Sequence, residues 1–205
     1  MFSHLLLICA VLLFLVPIWV IFASSTHTPE TILNHGLQFT LGKNFTNTYY
    51  SILFEHSGYT KNVTALRMLM NSLILALGFA IGKVVISSMA AYAIVYFRFK
   101  IANFLFWLIF LTLLLPLEVR IVPSFEVLAH LNLLNSYEGL IVPLIASATG
   151  TFFFRQFYKS VPDELLEAAK LDGANSWQFF IDILVPISKT MIAALFIVMF
   201  IVGWN

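Results

Sequence analysis

Residues 5–23, LLLICAVLLFLVPIWVIFA, run for 19 positions without a charge. At about 1.5 Å per residue a helix of that length nearly crosses the roughly 30 Å hydrocarbon core of a bilayer. A helix that is apolar all round has no face to offer water, so a chain that opens this way folds in lipid. A cleaved signal peptide would carry a basic start and a shorter apolar region, whereas here no Lys or Arg precedes Lys43. The stretch therefore reads as a retained first span. Further apolar runs at 69–97, 101–117, 139–154 and 190–205 predict an all-α, polytopic membrane helix bundle. Composition agrees: 60% of the 205 residues are hydrophobic and 10% charged, against about 25% charged in soluble domains. That excludes a water-soluble globule and a disordered chain. A net charge of +1 with no basic run excludes nucleic-acid binding.

The polar segments organise the rest. Residues 24–68 hold five charges and read as an external loop with one short amphipathic segment, with Asn44 and Asn62 in N-x-Thr patterns. Arg98 and Lys100 close the second span, Pro116 interrupts the third, and 124–138 read as a mixed loop or interfacial helix. The final run, 190–205, is shorter than the roughly 20 residues of a full span, so it reads as the start of a fifth span in a chain that continues. The whole is then a partial transmembrane domain over 1–205. Placing 98–103 and 155–189 in the cytoplasm assigns six Lys and Arg to that side and four to the other, which predicts a cytoplasmic N-terminus.

The segment 155–189 is the most polar part of the second half, with Arg155, Lys159, Lys170 and Lys189 among five acids. Ser160 is a candidate N-cap, Pro162 suits a first helical turn, and Asp163 and Glu164 favour the positive end of a helix dipole. Leu165, Leu166 and Ala169 then form an apolar side opposite Glu164, Glu167 and Lys170. Gly173 interrupts the pattern, and Asn175 or Ser176 caps a second helix, WQFFIDILV, that runs to Pro186. Such a helix–turn–helix with a bulky aromatic cluster suits docking into a groove on a soluble partner. An amphipathic hairpin on lipid headgroups is the alternative, although such helices are usually richer in Lys and Arg.

Glu167-Ala168-Ala169, three residues, Gly173, nine residues, Ile183, one residue and Val185-Pro186 resemble the EAA loop of binding-protein-dependent ABC importer permeases. Val185 stands where the family pattern has Leu. The longer run SVPDELLEAAKLDGANSWQFFIDILVPISK, with LLPLEVRIVPSFEVLAHLNLLNSYEGLIVPLIASATGTFFFRQFYKSVP before it and FIVGWN after it, narrows the resemblance to the carbohydrate-uptake subfamily. The likeness extends from about Asn71 to Asn205. It implies six spans in the full protein, a bacterial inner-membrane location and a periplasmic 24–68 loop. It implies partnership with a second homologous permease, two cytoplasmic ATPase subunits and a periplasmic solute-binding protein. The cargo it implies is sn-glycerol 3-phosphate, with glycerophosphodiesters; a neutral sugar or oligosaccharide is the alternative within the class. By the same resemblance the loop couples to the ATPase: Glu167 makes a polar contact, Ala168 and Ala169 permit close approach, Gly173 permits the turn, and Ile183 and Pro186 complete the pattern.

Charges in or beside the spans are the remaining candidates. Lys83 lies within the second apolar run, where a charged group facing lipid costs at least about 2.5 kcal/mol, so it faces protein or water. It can attract an anionic solute or gate residue, or simply pair between helices. Gly78 and Gly82, with Ser87, Ser88, Ala90 and Ala91, allow close helix contact around it. Glu118 and Arg120, just beyond Pro116, are candidates for the translocation path, an outer gate or contact with the binding protein, and equally for an interfacial pair. No enzyme is expected. His4, His27, His35, His56 and His130 lack metal spacing, Cys9 is alone, and neither a P-loop nor a G-x-S-x-G elbow is present. No cofactor or metal is implied, and an ATP-independent transporter or channel is the rival from another class.

Overall fold

The computed structural model describes residues 2–55, 63–97 and 99–204; His56, Lys61, Asn62, Arg98 and Asn205, which carry part of the expectation from sequence, lie outside the described residues. All regular structure among these residues is helical, and the chain divides into two compact units, residues 1–70 and 71–205.

In the first unit, α1 (Phe2–Ser25) leaves nearly all its large apolar side chains exposed, as a helix surrounded by lipid tails would. Its C-terminal end is tied to the following loop by polar groups. The buried Thr26 hydroxyl donates to the Ala23 carbonyl and accepts from the Gly42 N–H, each at 2.6 Å, and the Ser24 hydroxyl accepts from the Gln38 N–H at 2.9 Å. The loop contains two short helices, α2 (Pro29–His35) and α3 (Phe45–Phe54), where the pattern suggested one. Thr28 explains the additional start: its side chain accepts from the Thr31 N–H, and Pro29 supplies a preset φ in the first turn.

The second unit is built on the part of α4 (Ala65–Tyr96) from Asn71 onward; the whole helix is 32 residues or about 48 Å long. Next comes α5 (Ala102–Leu111), which tightens into a 3₁₀ turn at Thr112–Leu114 and ends before Pro116; α6 (Leu117–His130) departs at 106°. The third apolar run is therefore a short helix of about 20 Å followed by a sharp corner, not a straight span through residue 117. Residues 124–130, read as loop or interfacial helix, continue α6. Then α7 (Tyr137–Ile141), a 3₁₀ turn at Val142–Leu144 and α8 (Ala148–Ser160) form a second bent pair, at 48°. Ser147 caps α8 through the Gly150 N–H. The chain continues through α9 (Asp163–Leu171), α10 (Ser176–Gln178), a π-helical stretch at Phe179–Leu184, α11 (Val185–Ile187) and α12 (Lys189–Trp204). Ser176–Ile187 and α12 meet at 75°. Among the described residues two helices are long and apolar enough to cross a membrane alone, and there are up to five spans if each bent pair counts as one.

The small residues of α4 allow neighbours to approach. A Cβ on Gly82 would clash with an Ile145 methyl, and one on Gly150 of α8 would lie 2.5 Å from the Ser87 hydroxyl. Beyond that crossing, Ser88 and Tyr158 share a buried 2.7 Å hydrogen bond. The main core joins Ala80, Val84, Ala91 and Tyr92 of α4 to Phe154 and Tyr158 of α8, with Leu195 and Met199 of α12.

Candidate functional site

The helix–turn–helix at 160–188 is held by local capping. Ser160 is not the cap of α9: its hydroxyl donates 2.7 Å back to the Phe157 carbonyl, and Pro162 occupies the N-cap position without a side-chain bond. Asp163 and Glu164 occupy the first turn, next to unpaired backbone N–H groups. At the other end, Gly173 N–H donates to Lys170 O at 3.1 Å and Ala174 N–H donates to Ala169 O at 2.9 Å, a Schellman closure with Gly173 at φ +79°. Asn175 then starts the next helix with a reciprocal capping box. The Gln178 N–H donates to Asn175 Oδ1 at 2.9 Å, and the Asn175 N–H donates to Gln178 Oε1 at 2.8 Å.

This second helix passes Pro186 and ends at Ile187. Pro186 has no N–H, and its ring would clash with the carbonyl four residues back in a regular α-helix. The wider π turn, in which Val185 N–H reaches Phe180 O, accommodates it. Two members of the aromatic cluster read as a docking element for a partner are internal: Phe179 and Phe180 are 1% and 5% exposed and pack on Tyr96 and Tyr92. The Tyr92 hydroxyl donates to Ser176 O at 2.6 Å, tying the loop to α4. Ala169 likewise packs into this core, while Glu167 and Ala168 face outward. Ile183 packs against the same core, and Pro186 is exposed. The most exposed large apolar groups of the hairpin are Leu171, 89% exposed, and Trp177, 58% exposed. The helical pattern alone did not single them out, because a two-helix turn has no single periodicity.

The membrane charges separate. Lys83 and Arg120 line one cavity of about 520 Å³, together with hydroxyls of Ser124, Ser147 and Thr149; Glu118 is exposed on α6 and does not line it. The Lys83 ammonium lies 4.0 Å from the centre of the Phe79 ring, a cation–π contact. Arg155, counted from sequence as a surface cation, is buried. Its guanidinium lies 3.8 Å over Phe106 and donates from Nη2 to Asn103 Oδ1 at 3.3 Å, while Nε has no partner among the described residues. The preceding Phe152-Phe153-Phe154 run gave no signal of this, since burial depends on where α5 lies.

A helical membrane unit with spans broken at prolines and a capped hairpin between its last two apolar segments defines a polytopic permease. Residues 83–205 match the family described as binding-protein-dependent transport system inner membrane component, and the chain belongs to that family. It is 49% identical over 205 residues to the sn-glycerol-3-phosphate transport system permease protein UgpE of Yersinia pestis bv. Antiqua (strain Antiqua), covering all of this chain and 72% of that one. It is 45% identical over 204 residues to the protein of the same name from Escherichia coli (strain K12), with the same coverage. The fold matches that of a bacterial ABC transporter involved in the import of the acidic polysaccharide alginate, with a TM-score of 0.75 and 23% identity over 99% of this chain and 69% of that one. The chain is thus a multi-pass inner-membrane permease subunit of an ATP-driven importer, a transport component and not an enzyme. Family membership implies the typical importer complex of permeases, ATPase subunits and a binding protein.

Proposed function

We propose that this chain, with a second homologous permease, forms the path by which sn-glycerol 3-phosphate, and glycerophosphodiesters, cross the inner membrane. The observation that carries this reading is 49% identity along the whole chain to a permease named for that ester. The cytoplasmic side is assigned to the N-terminus and to residues 155–189, where two ATPase subunits dock; a solute-binding protein delivers cargo to the opposite face, on which the 24–68 loop lies. Exposed Glu167, Ala168 and Leu171 are the contact with the ATPase. Gly173 sets the turn, while Ala169, Ile183 and the π turn at Pro186 pass movement of that contact into α4 and α12 through the shared core. Closure of the ATP-bound motor moves the hairpin as one body, because capping on both sides of the turn and the Tyr92–Ser176 bond hold it together. Access then alternates between the two faces with no covalent change in the solute. Lys83 and Arg120 belong to the path, and Glu118 to its outer rim. Uptake of labelled sn-glycerol 3-phosphate by the reconstituted four-component assembly, competed with maltose-like sugars, tests this. Competition by the sugars, with no uptake of the ester, transfers the reading to a neutral-sugar importer.

A further inference from the structure

The cavity between α4, α6 and the α7–α8 corner holds two cations and no carboxylate among the side chains that line it. Lys83 and Arg120 face the same space, and among the described residues neither forms an ion pair or a side-chain hydrogen bond. Two like charges facing one partly enclosed space repel each other, and the apolar walls formed by Ile121, Leu140 and Leu144 shield that repulsion poorly. Lys83 is half-buried, and such a cation is ordinarily paired, while Arg120 is exposed. Among the described residues the Lys83 ammonium has a cation–π contact with the Phe79 ring, which weakly offsets one charge and leaves the other untouched. The remaining polar side chains of the wall are hydroxyls, of which Thr112 already donates to the Ile109 carbonyl. The Ser147 hydroxyl accepts from Gly150 N–H, which leaves its own hydrogen free to turn toward the cavity, and Ser124 and Thr149 line the same space.

We infer that this cavity is a phosphomonoester subsite within the translocation path, in which Lys83 and Arg120 together neutralise one phosphate group and the neighbouring hydroxyls orient it. The inference rests on the proposed importer function and adds which residues of this chain meet the cargo and which cargo they favour. A phosphomonoester carries a charge of about −1.5 to −2 at neutral pH, enough to match both cations. A phosphodiester brings one charge and leaves one cation uncompensated, and a neutral sugar leaves both. The cavity volume falls in the range of about 300–1,000 Å³ typical of small-molecule sites, so a three-carbon ester fits with room for water. Glu118 is not among the residues that line the cavity.

The test uses the reconstituted importer in liposomes. Lys83→Gln and Arg120→Gln are each expected to raise the KM for sn-glycerol 3-phosphate about tenfold, the effect of one charge-assisted contact, and Lys83→Arg is expected to restore most of it. The increase should be smaller for a glycerophosphodiester. Wild-type KM in both neutral variants overturns the subsite while leaving the importer reading in place. A second measurement does not depend on transport. With Cys9 changed to Ser, a Ser124→Cys thiol is labelled by a water-soluble maleimide, and labelling should slow with inorganic phosphate or sn-glycerol 3-phosphate, but not with glycerol. Adding Lys83→Gln should abolish that protection. Equal labelling with and without phosphate overturns the subsite whatever the cargo proves to be. Protection by phosphatidylglycerol in the vesicle, with none from soluble phosphate, assigns the two cations to a lipid headgroup and overturns it as well. If the wild type fails to import the ester but phosphate still protects, the cargo assignment fails and the anion site stands.

Discussion

Replacement of Gly173 separates two things that the hairpin turn does. A Cβ added there meets nothing within 4 Å, so no neighbour in the chain opposes a side chain; only the backbone does, at φ +79°. Holding an ordinary L-residue in the left-handed region costs about 1–2 kcal/mol. Asn and Asp visit that region readily, and a β-branched residue resists it most. Thermal unfolding of the purified chain in detergent should therefore rank Gly173→Asn near wild type, Gly173→Ala lower by about 1 kcal/mol, and Gly173→Val lower by about 2 kcal/mol. A difference of 1.4 kcal/mol corresponds to about tenfold in the population of intact turns. The Asn and Asp variants share nearly the same backbone cost and differ by one charge, placed next to Asp172 on an exposed face. In the assembled importer, Gly173→Asn should retain the ATPase on affinity purification. Gly173→Asp should lose about tenfold in co-purification and uptake, the cost of one unfavourable charge at an interface, while remaining inserted in the membrane. Equal stability of Gly173→Val and wild type would refute the backbone argument. Full co-purification and uptake by Gly173→Asp would refute the coupling role.

Leu171→Glu should leave stability within about 0.5 kcal/mol, because the side chain is 89% exposed, yet reduce ATPase co-purification; unchanged co-purification removes Leu171 from the contact. Gly150→Val should lower stability by about 1–3 kcal/mol by forcing α8 off the Ser87 turn of α4, where even a Cβ would sit 2.5 Å from the hydroxyl, as read by thermal unfolding in detergent. Tyr158→Phe keeps the ring and deletes only the hydroxyl paired to Ser88 at 2.7 Å, so a loss of about 1–2 kcal/mol is expected in the same assay. Arg155→Ala removes both the stack on Phe106 and the bond to Asn103 and should cost about 2 kcal/mol. Arg155→Lys should recover only part of that loss, since an ammonium lacks the planar face that stacks.

Much of the hairpin at 160–188 was legible residue by residue. Asn175 with Gln178 three positions on, and Gly173 before them, specify a helix end and a helix start whatever lies around them. The failures came where a local preference met a competing partner. Ser160 is a good cap, but its hydroxyl found the carbonyl of the helix it was already closing. Phe179 and Phe180 read as a docking cluster because an aromatic run beside a polar turn looks exposed, whereas Tyr92 and Tyr96 of α4 cover them. Pro116 marked the end of the third run correctly in kind, but the helix had tightened before it, and nothing in the composition announces a 106° corner.

The amino-acid sequence by itself determined that this protein lives in lipid, that its regular structure is helical, and where its polar hairpin turns. Each depends on neighbours within a few positions or on a run long enough to cross a bilayer. Only the tertiary structure decided which charges face each other and which aromatic groups are hidden. The hydrogen bond from Tyr92 to Ser176 joins residues 84 positions apart, and the meeting of Lys83 with Arg120 across one cavity depends on the bend between α5 and α6. Distances of that kind are set by the close approach of helices at small residues and by the angles at broken spans, and neither has a period that can be read along the chain.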